Sequence, residues 1–181
     1  MGTDPWILAL DSNAFTYWIQ TMNGAPDQPS EPFADEKLAL VRIFFWMPSD
    51  ASFKIVPTVR AEYEAIRDGA KLDSHHAWAL THVSEVRPVP DDAAVGIRAH
   101  ELCAHHPGEN DRKIIAECEL AGISALLTCD MKLLERIRME TRVWIARPTE
   151  LWEWMRIPKG QPPNRAPASG NPLLECSWWR W

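Results

Sequence analysis

Apolar positions in this chain come in short runs separated by stretches with helical spacing. Trp6-Ile7-Leu8-Ala9-Leu10 shows no polar alternation and breaks at Asp11-Ser12-Asn13, which predicts a strand buried on both faces with capping residues behind it. Residues 14–22 predict a helix stopped at Asn23-Gly24, with a loop over Pro26 to Pro32. From Phe33 to Trp46, Leu38, Val41 and Phe45 recur beside Leu40 and Phe44, predicting a second helix that ends at Pro48-Ser49-Asp50. Ser52–Val56 predicts a strand, and Pro57-Thr58 opens a helix, with Thr58 as cap, that runs to the Gly69 region.

The second half repeats the scheme. A short helix over 74–83, a strand over Val86–Val89 and a helix over 91–105 precede Asn110-Asp111, read as the cap of a helix over 112–121. Ala125–Thr128 predicts a strand running into Cys129-Asp130. A helix over 131–138, a strand over Arg142–Ala146 and a helix over 149–156 complete the order. The alternation predicts an α/β fold of three layers, α/β/α, with a central, mainly parallel sheet flanked by helices. Residues 158–172 hold five prolines and no periodicity, reading as a linker or extended wrap. The tail Leu173 to Trp181 is too apolar for water and should dock on its own domain or on a partner. The expected division is therefore one domain over 1–157 and an appendage over 158–181.

Charge sharpens this picture. The 181 residues carry a net −6, which argues against a coat for nucleic acid. Residues 1–130 hold 10 Lys+Arg against 20 Asp+Glu, and residues 131–181 hold 9 against 5. An acidic body suits a carboxylate site for cations, and Arg136, Arg138, Arg142, Arg147 and Arg156 are available to touch a polyanion. Four scattered cysteines suggest neither a disulfide framework nor structural zinc. With no apolar run of spanning length and no basic-plus-apolar leader at Met1-Gly2-Thr3-Asp4-Pro5, the expectation is a soluble cytoplasmic protein with no membrane contact.

Two predicted strands end in an aspartate, Asp11 and Asp130, and in a parallel sheet ligands bind outside the carboxyl ends of the strands. Glu62 and Asp111 lie at helix starts that strand order can bring to the same edge. Clustered carboxylates repel one another unless a cation neutralises them, and oxygen ligands of this kind select Mg²⁺ or Mn²⁺. Each acid taken singly also fits a cap or a solvated helix position. Six histidines, with Cys103 near His105 and His106, read as ordinary surface residues rather than a transition-metal site. The chain has no phosphate loop, nucleophile elbow or zinc-protease motif, and Asp11-Ser12-Asn13 lacks the second aspartate of an aspartyl-phosphate phosphatase.

Four blocks carry a family resemblance: residues Ile7–Asn13, Val56–Glu62, Asn110–Glu117 and Leu126–Asp130. In order and separation they resemble the acidic blocks of the PIN-domain nucleases, over roughly residues 6–150. The resemblance implies a parallel sheet between helices, an Mg²⁺ or Mn²⁺ site and cleavage of RNA. Many bacterial members are VapC-type toxins of toxin–antitoxin pairs, which implies an antitoxin protein as partner for that subtype. The apolar helices also suggest a homodimer. Carried over by position, Asp11, Glu62, Asp111 and Asp130 match the catalytic and metal-holding acids, with Glu62 preferred to Glu64 for its distance after Pro57. Asn13 and Thr128 match supporting polar positions, and Arg112, Lys113 and Lys132 flank the acids as contacts for the RNA backbone. Lys132 stands where many relatives carry a further acid, and the proline stretch and tryptophan tail exceed the compact toxins. The competing expectation is a non-catalytic interaction module on the same fold that recruits a protein through the tryptophan-rich tail.

Overall fold

A computed structural model describes residues 6–23 and 28–181. Residues 1–5 and 24–27, which include Gly24 of the expected helix stop and the start of the expected Pro26 to Pro32 loop, lie outside the described residues. Thirteen elements alternate as the sequence pattern predicts. They are β1 (Ile7–Leu10), α1 (Ser12–Asn23), α2 (Ala34–Trp46), β2 (Ser52–Ile55), α3 (Pro57–Glu64), α4 (Gly69–Thr81), β3 (Val83–Glu85), α5 (Asp92–Glu101), α6 (Glu109–Leu120), β4 (Ala125–Leu127), α7 (Met131–Ile137), β5 (Trp144–Ala146) and α8 (Pro148–Met155). Short 3₁₀ turns follow at Leu102–Ala104 and Pro172–Glu175.

The five strands form one parallel sheet in the order β3-β2-β1-β4-β5, with Leu8 paired to Phe53 on one side and Ala125 on the other. Parallel strands need covering on both faces, and the central pair is accordingly apolar throughout: Leu8, Ala9, Leu10, Ala125, Leu126 and Leu127 are all buried. Helices flank the sheet, so the architecture is the three-layer α/β/α arrangement. From β1 the chain steps outward through β2 to β3, then returns to add β4 and β5 on the opposite side. The strand order therefore reverses between β1 and β4. At such a switch point the connections leave in opposite directions and open a crevice at the carboxyl ends.

Several local boundaries differ from the sequence expectation. Gly69 opens α4 instead of closing α3, because Asp68 caps the new helix by accepting from the Lys71 amide at 2.9 Å. Thr58 is not the cap of α3. Val56 holds that place, Pro57 takes the first turn, and the Thr58 hydroxyl donates to Glu117 instead. The third strand lies at Val83–Glu85, ahead of the predicted Val86–Val89, where Pro88 removes a donor that pairing needs. In α6, Gly108 is the cap, so Asn110 and Asp111 stand inside the first turn.

The proline-rich stretch is a wrap over the end of α2. That helix leaves its last carbonyls without intrahelical donors. Asn164 Nδ2 donates to the Trp46 carbonyl at 2.6 Å, the Arg165 amide donates to Phe45 at 3.1 Å, and the Arg165 guanidinium reaches the Ala51 carbonyl at 2.6 Å. A cation at a helix C-terminus also opposes the negative end of the helix dipole. The tail then docks on its own domain. Trp179 is 1% exposed, with its ring 4.6 Å from Phe45 and 5.7 Å from Trp46. Arg42 secures it from α2, donating to the Trp179 and Arg180 carbonyls and lying 4.9 Å from the Trp181 ring. Among the described residues no helix is long and apolar enough to cross a membrane.

Candidate active site

The switch-point crevice receives a carboxylate from each of its two strands. Asp11 is the first residue beyond β1, and its amide still donates to the Leu127 carbonyl of the neighbouring strand at 3.0 Å. Its Oδ1 accepts from the Ala14 amide at 2.6 Å, so the side chain caps α1 two residues earlier than the apolar pattern suggests. Asp130 sits three residues beyond β4 and caps α7, with Oδ1 accepting from the Lys132 amide at 2.8 Å and the Leu133 amide at 3.2 Å. Thr128 links the two. Its oxygen accepts from the Asp130 amide at 2.9 Å, and its hydroxyl hydrogen-bonds the Asp11 carboxylate.

Two further acids approach from helices. Asp111, in the first turn of α6, bonds His106 Nε2 through Oδ2 at 2.7 Å. Gly108 makes that contact feasible, because a Cβ there would collide with Asp111 Oδ2 and lie 2.9 Å from His106 Nε2. Glu62, on α3, accepts from the Ser12 hydroxyl and from Asn110 Nδ2, the latter at 2.6 Å. Ser12 follows Asp11 and Asn110 precedes Asp111, so Glu62 is tied to the immediate neighbours of both. Glu64 instead pairs with Arg60 at 2.7 Å on the exposed side of the helix.

The electrostatics register this crowding. Asp11 is 6% exposed and its carboxyl is pushed up to about 6, first by burial, then by the facing carboxylates of Asp111 and Asp130. The Thr128 and Ala14 bonds offset only part of that. Such a group is uncomfortable as an anion, and a nearby cation would relieve it. Yet among the described residues no three His, Cys, Asp or Glu side chains converge closely enough to hold a metal ion. Each carboxylate is turned toward a local donor. The donor set, all oxygen and all acidic, fits a hard divalent cation in its chemistry, and gathering it would exchange these caps for metal bonds.

The remaining sequence candidates separate. Asn13 and Lys132 line an open groove of about 360 Å³ beside Asp130, together with Tyr17, Phe33 and Met131. Arg112 is committed to the loop before α6, donating to the His106 and Pro107 carbonyls at 2.7 and 2.8 Å. Lys113 pairs with Glu109 at 2.6 Å. Of the arginines in the basic segment, Arg138 pairs with Glu150 at 2.9 Å and Arg147 lies 3.7 Å from Glu36.

Sequence reasoning missed the residues that hold the acids. His106 was passed over as a surface histidine, although it is buried and touches Asp111. The sequence pattern gives Ser12 no role and gives Asn110 only that of a helix cap. Glu117 was not singled out, and its signal was visible: a lone acid inside the apolar run Ile114-Ile115-Ala116-Glu117-Cys118. It is buried, burial raises its pKa, and it accepts from the Thr58 amide and hydroxyl at 3.1 and 2.8 Å. One acid on α6 thereby takes up a first-turn amide of α3 and ties the two helices together.

No family model matches the chain, and no curated protein matches it. Among solved structures it is similar to a chain in the crystal structure of VapBC2 from Rickettsia felis bound to a DNA fragment from their promoter. That match has 17% identity and a TM-score of 0.49, and covers 77% of this chain and 97% of the other.

Proposed function

We propose that the chain is an Mg²⁺- or Mn²⁺-dependent endoribonuclease that hydrolyses phosphodiester bonds at the crevice between β1 and β4. The observation that carries this reading is the buried Asp11 carboxyl, pushed up to about 6 at a strand switch point where Asp111 and Asp130 face it. The order and spacing of the four acidic blocks, similar to those of PIN-domain nucleases, support it. Asp11, Glu62, Asp111 and Asp130 would hold the cation. When bound, the cation neutralises charge on the scissile phosphate and lowers the pKa of an attacking water. Products would carry 5′-phosphate and 3′-hydroxyl ends.

The chain's own residues have distinct tasks in this scheme. Asp11 must be ionised, which its raised pKa allows above about pH 6. Thr128 orients it, and Ser12 and Asn110 orient Glu62. No side-chain nucleophile is required. The biological setting is either that of a toxin with an antitoxin partner or that of a housekeeping RNA-processing enzyme. The alternative, an interaction module that recruits through its tail, keeps a smaller recruiting surface, because Trp179 is buried on α2 while Leu174 and Trp181 remain exposed.

The test is cleavage of single-stranded RNA with Mg²⁺, with chelator, and by Asp11→Asn. Asparagine still accepts a cap bond, so the variant should fold while losing more than about a hundredfold in rate. Cleavage that persists in chelator, or is undiminished in the variant, would refute the proposal.

A further inference from the structure

The groove beside Asp130 has walls that neither the acids nor the core explain. Phe33, the cap residue of α2, adopts φ 66 and ψ 31, a left-handed conformation that a bulky residue resists and glycine accepts freely. The residue is nevertheless 38% exposed. Tyr17 of α1 supports it from one side, with centroids 5.5 Å apart and planes 32° from each other, and Lys37 Nζ lies 5.3 Å from the Tyr17 centroid. Across the groove Met131 is 45% exposed, next to Lys132. An aromatic ring kept at the surface in an unfavoured backbone conformation marks a position where neither packing nor backbone preference chose the residue.

The groove's chemistry is that of a nucleotide. An unpaired base offers a flat π face, and stacking on an aromatic ring is the sequence-tolerant way proteins hold single strands. Asn13 contributes an amide with both donor and acceptor character for a base edge, and Lys132 a cation for the adjoining phosphate. Because Asp130 belongs both to this groove and to the acidic crevice, a nucleotide lying here has its backbone beside the carboxylates. The volume of about 360 Å³ falls in the range of small-ligand sites. We propose that the Phe33–Tyr17 groove is the subsite that stacks one unpaired base of a single-stranded RNA next to the scissile phosphate. This rests on the ribonuclease reading and adds to it the side chains that grip the strand.

Binding measured in chelator separates grip from cleavage. The probe is a short fluorescent single-stranded RNA, followed by anisotropy, with a duplex of the same sequence as comparison. Phe33→Gly removes the ring and suits the left-handed backbone, so it should melt no lower than wild type while binding the single strand about tenfold more weakly. Phe33→Trp should bind as wild type does, and the duplex should show no dependence on position 33. Equal affinity of Phe33→Gly and wild type for the single strand would overturn this inference alone, since cleavage could still proceed. A wild-type chain that neither binds nor cuts RNA would overturn the ribonuclease reading together with it.

Discussion

The carboxyl edge of the sheet and the α2 face that receives the tail solve opposite problems. On the α2 face, aromatic rings and terminal carbonyls find partners: Trp179 fits against Phe45 and Trp46, and Asn164 and Arg165 take up the helix-end oxygens. At the carboxyl edge, Asp11 is buried, and the charges of Asp111 and Asp130 add to what burial already costs its ionised form. The first region raises stability without any sign of chemistry. The second lowers it, which is the expected signature of a site shaped for a ligand rather than for the free protein.

Perturbing each region should expose that contrast. Trp179→Ala empties a fully buried position and leaves the Leu173 carbonyl, which its Nε1 reaches at 2.8 Å, without that donor. It should cost about 3–5 kcal/mol in denaturant melts, while any RNA cleavage per folded molecule stays unchanged.

Asp11 should behave in the opposite sense. Its folded-state pKa of about 6 lies above the ordinary 3.8, so the native state holds the proton more tightly. That advantage is full below about pH 4 and is lost as pH rises through about 6, a swing of about 3 kcal/mol in metal-free protein. Asp11→Asn should remove this slope, so the variant gains on wild type as pH is raised from 4 to 7. Parallel stability curves for the two proteins would contradict the buried, mutually repelling arrangement.

Asp130 should give the smallest effect. Replacing it with alanine deletes the acceptor for the Lys132 and Leu133 amides and should cost about 1 kcal/mol, whereas Asp130→Asn should keep most of that cap. Both variants should still lose metal-dependent cleavage, which separates capping from catalysis at one position.

The same contrast governs what could be read from the chain. Asp11 and Asp130 were legible because each ends an apolar run, and a strand's direction alone puts such residues at the carboxyl edge. Glu62 and Asp111 were not placed by that logic, since their positions depend on strand order and helix register. The actual start of α6 at Glu109 turns Asp111 from a cap into a first-turn residue facing His106. Gly69 misled because a glycine directly after a capping residue opens a helix instead of ending one, and Asp68 supplies that cap for α4. The predicted third strand was displaced because an edge strand of three residues has too little pattern to outweigh its neighbours. The tail's apolar character was plain, but the surface it would choose was not, because that choice lies in the shape of α2 and α8. His106, Ser12 and Asn110 escaped notice for a related reason: short polar residues gain their meaning only from what the fold sets beside them.

The central proposal is that Asp11, Glu62, Asp111 and Asp130 act together in holding hard divalent cations. Its most direct measurement is thermal stability during Mn²⁺ titration at pH 7.5, in wild type and in Asp11→Asn. A ligand that binds only the folded state raises the melting temperature progressively as its concentration passes the dissociation constant. Wild type should show that saturable rise and Asp11→Asn should lose most of it; equal responses in the two proteins, or no response in wild type, would contradict the account.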